Sequence, residues 1–189
     1  MGLFDRFKKQ PPARQAASVP ASPPPPSEQP LLDIAAIISN RDPWVMEWMD
    51  VCVNNTSTYA EENYHRYVLR GLELEDDPDL LQWLGMVDIL TDAHHVCERD
   101  WKDELPDFLH FLKNLEGTKR RKLPLDKRWL DPGKDVSDWI QRINSHWAAQ
   151  GCCLSVIDID SDSYVLFPCT MAERVQLKKL AAQLGQRIG

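Results

Sequence analysis

Three aspartates alternate in the segment VIDIDSDSYVLF: Asp158, Asp160 and Asp162. On a continued strand alternate residues share a face, and three carboxylates on one face offer oxygen ligands to a hard cation. Two specific arrangements of that kind do not fit. A calcium loop counted from Asp158 requires Gly at its sixth position and Glu at its twelfth; this chain has Ser163 and Cys169 there. A phosphotransfer aspartate pair requires a doubly wound sheet behind it, yet only 27 residues follow Asp162. In a turn, Asp and Ser accept backbone N–H groups and face water. The segment is read first as such a turn, with a metal-dependent hydrolase built on Asp158, Asp160 and Asp162 as the alternative.

A second group is His94, His95 and Cys97, beside Glu98 and Asp100. Imidazole and thiolate suit zinc. A fourth ligand would come from Cys152, Cys153 or Cys169, but the spacing matches no finger or ribbon. The metal candidates are therefore Asp158, Asp160, Asp162, His95 and Cys97, and no cofactor is expected. Neither a G-x-S-x-G elbow nor a Gly-rich phosphate loop is present. Vicinal Cys152 and Cys153 read as core. Lys119, Arg120, Arg121 and Lys122, with Lys127 and Arg128 beyond, could contact phosphate; a short charge run reads first as a solvated loop. Of seven tryptophans, Trp44, Trp48, Trp83, Trp139 and Trp147 fall on helical apolar stripes, whereas Trp101 and Trp129 lie in irregular stretches. An exposed Trp near acids marks a protein-binding patch. Trp101, Asp158, Asp160, Asp162 and Tyr164 are the candidate partner-binding residues.

The elements that must position these groups follow from periodicity and end signals. Leu31 to Ile38 makes a short helix. Asp42-Pro43 and Asp77-Pro78 open helices, Asp as N-cap and Pro at the first position. Between them, Thr58 and Glu61 form a capping box for a helix carrying Tyr64, Tyr67, Val68 and Leu72. Leu80, Trp83, Leu84, Val87 and Leu90 share one helical face. A strand is expected at about 94–99. Asp103 caps a helix through Leu115, and Gly117 ends it. Residues 118–132 read as irregular. Asp135 caps a helix carrying Val136, Trp139, Ile140, Ile143 and Trp147. The stretch 152–167 is a hairpin, and Thr170 with Glu173 boxes the start of the last helix. The expected class is α+β: a mostly helical first half, then a small sheet of about three strands covered by helices.

Residues 1–30 differ in kind. They hold eight of the 14 prolines and carry a net charge of +2, against −9 for residues 31–189. Gln10–Pro30 reads as a semi-stiff polyproline linker. Ahead of it, Leu3, Phe4 and Phe7 sit at helical spacing among Arg6, Lys8 and Lys9, a short amphipathic start that could touch a membrane surface. Arg6 occupies the position where a myristoylation signal has Ser or Thr. No secretory h-region follows, and no window reaches the ~18 apolar residues of a membrane span. Five cysteines without a C-x-x-C pair point to free thiols and a reducing cytoplasm. Residues 31–189 read as one globular domain.

HVCERDWKDELPDFLHFL, the amphipathic Trp helix and LSVIDIDSDSYVLFP resemble a family of uncharacterised bacterial proteins, the domain-of-unknown-function family numbered 6630 (DUF6630). The resemblance spans roughly residues 40–186 and is strongest over 94–112 and 152–168. The matching positions are Asp100, Trp101 and Lys102, then Asp158, Asp160, Ser161, Asp162, Ser163 and Tyr164. It implies a fold and a bacterial cytoplasmic setting, not a reaction. The resulting expectation is a non-enzymatic module that binds a basic protein partner rather than nucleic acid, because an acidic domain repels a polyanion.

Overall fold

The computed structural model describes residues 29–189. The readings of Leu3, Phe4 and Phe7, and of the proline-rich linker up to residue 28, lie outside the described residues. The linker reading of Gln10–Pro30 does not hold at its last residue, because Pro30 is the first residue of a helix.

Five helices come first: α1 (Pro30–Ser39), α2 (Pro43–Asn54), α3 (Thr56–Glu62), α4 (Tyr64–Leu69) and α5 (Pro78–Asp92). Strand β1 (Cys97–Asp100) follows, then α6 (Leu105–Asn114), α7 (Glu116–Arg121) and α8 (Val136–Trp147). The hairpin β2 (Cys152–Ile157) and β3 (Ser163–Thr170) leads into α9 (Met171–Gln183). The Asp-Pro starts form as their chemistry dictates. Asp42 accepts the Trp44 and Val45 N–H groups, and Asp77 accepts that of Asp79. Asp135 caps α8 through the Asp138 N–H, and Thr170 and Glu173 close a reciprocal box on α9.

Other local readings change. The helix expected after Thr58 begins at Thr56 and breaks at Asn63 into two short pieces, with no side-chain cap on either. Asp103 does not cap α6; it holds Arg99 in a two-pronged ion pair at 2.6 and 2.7 Å. Gly117 does not end a helix. It lies inside α7, where an added Cβ would stand 2.7 Å from Pro168 Cγ, so glycine lets α7 sit against β3. The strand starts later than position 94, because His94 takes a left-handed backbone (φ 57°).

The three strands form one antiparallel sheet in the order β1–β3–β2, and with the surrounding helices this is an α+β fold. Side chains alternate across it, so its two faces feed two cores. Cys153, Ile157, Val165, Phe167 and Cys169 pack with α1, α2, α5 and α9. Cys97, Cys152, Leu154 and Leu166 pack with α6 and α8. In the first layer, Gly85 brings α5 close to its neighbours: an added Cβ would meet Cys52 Sγ at 2.7 Å and the Tyr67 hydroxyl at 3.0 Å. In the second layer, the indoles of Trp139 and Trp147 donate to the carbonyls of Asp131 and Pro124, tying the 122–135 connection to α8.

The outer edge of β2 is closed by short pieces of chain. The Asn144 side chain accepts from the Leu154 N–H at 2.6 Å and donates to its carbonyl at 3.1 Å. Gly189 exchanges both backbone bonds with Val156, and Arg187 O accepts from the Asp158 N–H at 3.0 Å. An edge dressed in this way offers no free ladder to another chain.

Candidate functional site

The hairpin turn is built around Asp158, at the point where β2 leaves the sheet. Every polar group of this residue is used. Its N–H goes to Arg187. Its carbonyl accepts from the Trp83 indole at 2.9 Å. Its carboxylate accepts the Asp160 N–H at 2.9 Å and the Arg187 guanidinium at 2.8 Å. Asp160 takes a left-handed φ of 55°, which ends the alternation on which a shared carboxylate face depends. Ser161 accepts the Ser163 N–H at 3.1 Å. The turn is thus held by acids and hydroxyls accepting backbone donors.

A cleft of about 810 Å³ opens beside this turn, bounded by the end of β1, the hairpin, α9 and the chain's last residues. It gathers four of the five candidate partner-binding residues: Trp101, Asp158, Asp162 and Tyr164. Asp160 is exposed and does not line it. Trp101 follows β1 directly and is 41% exposed. The Lys102 ammonium lies 4.3 Å from the centre of its ring, so this indole already carries one cation. Tyr164 is half-buried on β3, opposite Arg99. Asp162 has no ion pair among the described residues, while Asp158 is matched by Arg187. Lys178, Gln186 and Arg187, absent from the sequence-derived candidates, also line the cleft. Their signal was missing because α9 presents only a modest apolar stripe, and the pairing of residues 187–189 with β2 depends on tertiary contact.

The other metal candidates are scattered. His95 is buried beneath α2, with Nε2 3.4 Å from the Asp42 carboxylate; burial pulls its pKa down against the pull of Asp42 upward. Cys97 belongs to the core under α6 and α8, where burial pushes its thiol up to about 12. Among the described residues, no group of three or more His, Cys, Asp and Glu side chains could hold a metal ion. Half of the basic cluster is tied down internally: Lys119 pairs with Glu116, Arg121 with Glu173 and Arg128 with Asp126. Trp44 and Trp48 are not core residues. They form an exposed tilted pair on α2, 6.0 Å between ring centres, while Val45, Met49 and Cys52 supply the buried stripe.

Fold and cleft define a helix-covered, three-stranded antiparallel α+β domain with a mixed aromatic and charged groove at one end of its sheet. The chain belongs to the family described as Domain of unknown function (DUF6630), whose model matches residues 30–189. Comparison with curated proteins and with solved structures returned no match. Among the described residues no helix is long and apolar enough to cross a membrane.

Proposed function

We propose that this domain is a protein-interaction module whose cleft receives a basic segment of a partner protein. The observation that carries the reading is the convergence of Trp101, Asp158, Asp162 and Tyr164 from separate parts of the chain on one cleft. The exposed Trp101 indole attracts cations, as its Lys102 contact illustrates, and Asp162 has no ion pair among the described residues. Lys178 and Arg187 balance the two aspartates of the cleft, so attraction of a partner's Lys or Arg rests on the ring and on the charge of the whole domain. A net charge of −9 over residues 31–189 would steer a cationic partner inward. The proposed setting is a reducing, bacterial cytoplasm, in keeping with five free and buried thiols.

The test is titration of the full chain with an Arg- and Lys-containing peptide panel, read by calorimetry at low and high salt. Binding that falls about tenfold in Trp101→Ala and less steeply in Asp162→Asn supports the reading. No binding to any cationic peptide, or binding indifferent to Trp101→Ala, overturns it.

A further inference from the structure

Away from the cleft, the face of the sheet that packs on α9 holds a polar group inside an apolar core. Cys153 on β2 and Cys169 on β3 are directly opposed, and each is only 2% exposed. Their sulfurs are 3.6 Å apart. Ser155 Oγ lies 3.2 Å from the Cys169 sulfur and 3.6 Å from that of Cys153. Arg174 reaches the group from α9, and its Nε is buried without a hydrogen-bond partner among the described residues. A buried guanidinium N–H with no acceptor is costly unless an anion faces it.

We propose that Cys153 and Cys169 form a redox-responsive pair, which a hydroperoxide converts into a cross-strand disulfide.

Register opposes the two cysteines directly, and the short contact between their sulfurs sets the pair for the bond. The outer edge of β2 uses the backbone groups of Leu154, Val156 and Asp158, so those of Cys153 point toward β3. Cys153 and Cys169 are therefore a hydrogen-bonded cross-strand pair. Such pairs have Cα atoms roughly 5.5 Å apart, inside the ~4.4–6.8 Å span a disulfide tolerates. Their Cβ atoms lie at the wide end of ~4.5–5.5 Å, beyond the ~3.5–4.5 Å of a relaxed bridge, so the bond draws the strands together and is strained and readily reduced. No other thiol competes. Cys152 points to the opposite core, Cys97 lies in that core on β1, and Cys52 sits against Gly85. Reactivity separates them as well. Hydrogen bonding from Cys169, helped by Ser155 and the Arg174 charge, draws the Cys153 thiol down despite its burial. Burial drives Cys52 and Cys97 up to about 12, and hydrogen bonding to Cys153 raises Cys169. With the Arg174 guanidinium acting on its side of the pair, Cys153 is assigned the thiolate role and Cys169 that of the resolving thiol.

The steps balance. The Cys153 thiolate attacks one peroxide oxygen, the O–O bond breaks, and the departing hydroxide takes a proton to become water (for hydrogen peroxide). The sulfenic acid formed on Cys153 is then attacked by the Cys169 sulfur. The S–O bond breaks, a second water leaves with the Cys169 proton, and the S–S bond forms. Two thiols are oxidised by two electrons, and one peroxide is reduced to two waters. Burial of both sulfurs suits a small neutral oxidant over a bulky disulfide.

The experiment treats the folded full chain with hydrogen peroxide, counts thiols, and maps links by non-reducing digestion and tandem mass spectrometry. Expected is a fall from five free thiols to three, with Cys153 joined to Cys169, reversed by dithiothreitol. The link should persist in Cys152→Ser, and its rate should drop at least about tenfold in Arg174→Gln as the thiolate is destabilised. Five thiols still free, a link involving another cysteine, or sulfinic acid without a link would overturn the proposal. An unchanged rate in Arg174→Gln, with the variant's circular dichroism intact, would overturn the assignment of Arg174.

Discussion

The two faces of the sheet are filled by different means. The face under α6 and α8 is almost wholly apolar: Cys97 and Cys152 pack there as core thiols, and the indole N–H groups of Trp139 and Trp147 reach loop carbonyls. The face under α1, α2, α5 and α9 tolerates a hydrogen-bonded group of Ser155 with Cys153 and Cys169 and, further out, the Arg70 cluster. The same contrast separates the helices. On α8 the buried residues Val136, Trp139, Ile140, Ile143 and Trp147 make one stripe opposite a polar face. On α5, every residue from Trp83 to Leu90 is buried, including Asp88. One layer is stabilised by shape and area, the other also by satisfied charge. Substitutions should therefore fail differently on the two faces.

The largest effect belongs to the apolar face. Trp147→Ala removes a fully buried indole and frees the Pro124 carbonyl from its donor. The expected loss is about 4 kcal/mol, from the range for large-to-small aromatic truncations. Urea denaturation followed by circular dichroism measures it; a loss under ~1 kcal/mol would mean that the connection it anchors contributes little.

Second comes the charge cluster of the other face. Arg70 bonds Asp88 and Glu98, each at 3.0 Å. Arg70→Ala strands a buried carboxylate, and the expected cost is about 3 kcal/mol. Its pH dependence distinguishes it from the cavity at Trp147. Burial raises the Asp88 pKa even with Arg70 present, and removing Arg70 raises it further. Folded Asp88 then holds its proton at pH values where the unfolded form, near about 3.9, has released it. Stability of Arg70→Ala should fall as pH rises through the folded pKa of Asp88, so its deficit shrinks toward acid. Trp147→Ala should show no such trend. Parallel deficits for both variants from pH 4 to pH 7 would remove the distinction.

The apolar face was also the more legible in the sequence. Val136, Trp139, Ile140, Ile143 and Trp147 announce their helix and its buried side, and Asp135, Gly151 and the Thr170–Glu173 box mark neighbouring ends. The other face was read less well. Trp44 and Trp48 recur at helical spacing just as Val45, Met49 and Cys52 do, and periodicity alone does not say which of two adjacent stripes meets a partner helix. At the cleft, Asp158 and Trp101 could be named because turn residues and an off-stripe Trp stand out. Lys178 and Arg187 could not: Lys178 is an exposed residue of α9, and Arg187 arrives only because residues 187–189 pair with β2. The Cys153–Cys169 pairing depends on strand register across a turn of five residues, 158–162, which fixes no register by its length alone.

A smaller effect, whose deficit also shrinks toward acid but through loss of the parent's own carboxylate contribution, is expected at the start of α9. Burial tends to raise the Glu173 pKa, but the Thr170 N–H and the Arg121 guanidinium outweigh it and hold the carboxyl below its usual range. Glu173→Gln should cost about 1 kcal/mol at neutral pH through the weakened capping box and ion pair. A depressed carboxylate contributes above its unfolded pKa, near about 4.3, and that contribution disappears as pH falls through the folded value. The variant should therefore match the parent at low pH and fall behind it as pH rises. A deficit that is constant with pH would assign the loss to packing.

The smallest effect is expected at the exposed Trp pair, and it tests the comparison most directly. Trp48 has the same side chain as Trp147, sits on an equally regular helix and touches another ring, Trp44, at 6.0 Å. It is 36% exposed, whereas Trp147 is at 0%. If enclosure decides what an indole contributes, Trp48→Thr removes one aromatic contact at the surface and leaves no enclosed cavity, and costs under about 1 kcal/mol. The Thr hydroxyl remains solvated and leaves no buried donor unmatched. Urea midpoints for Trp48→Thr and Trp147→Ala should then differ several-fold in their displacement from the parent. Equal displacements would mean that the α2 surface is an integral part of the first layer, and that the division between a tryptophan-anchored face and a charge-bearing face is drawn in the wrong place.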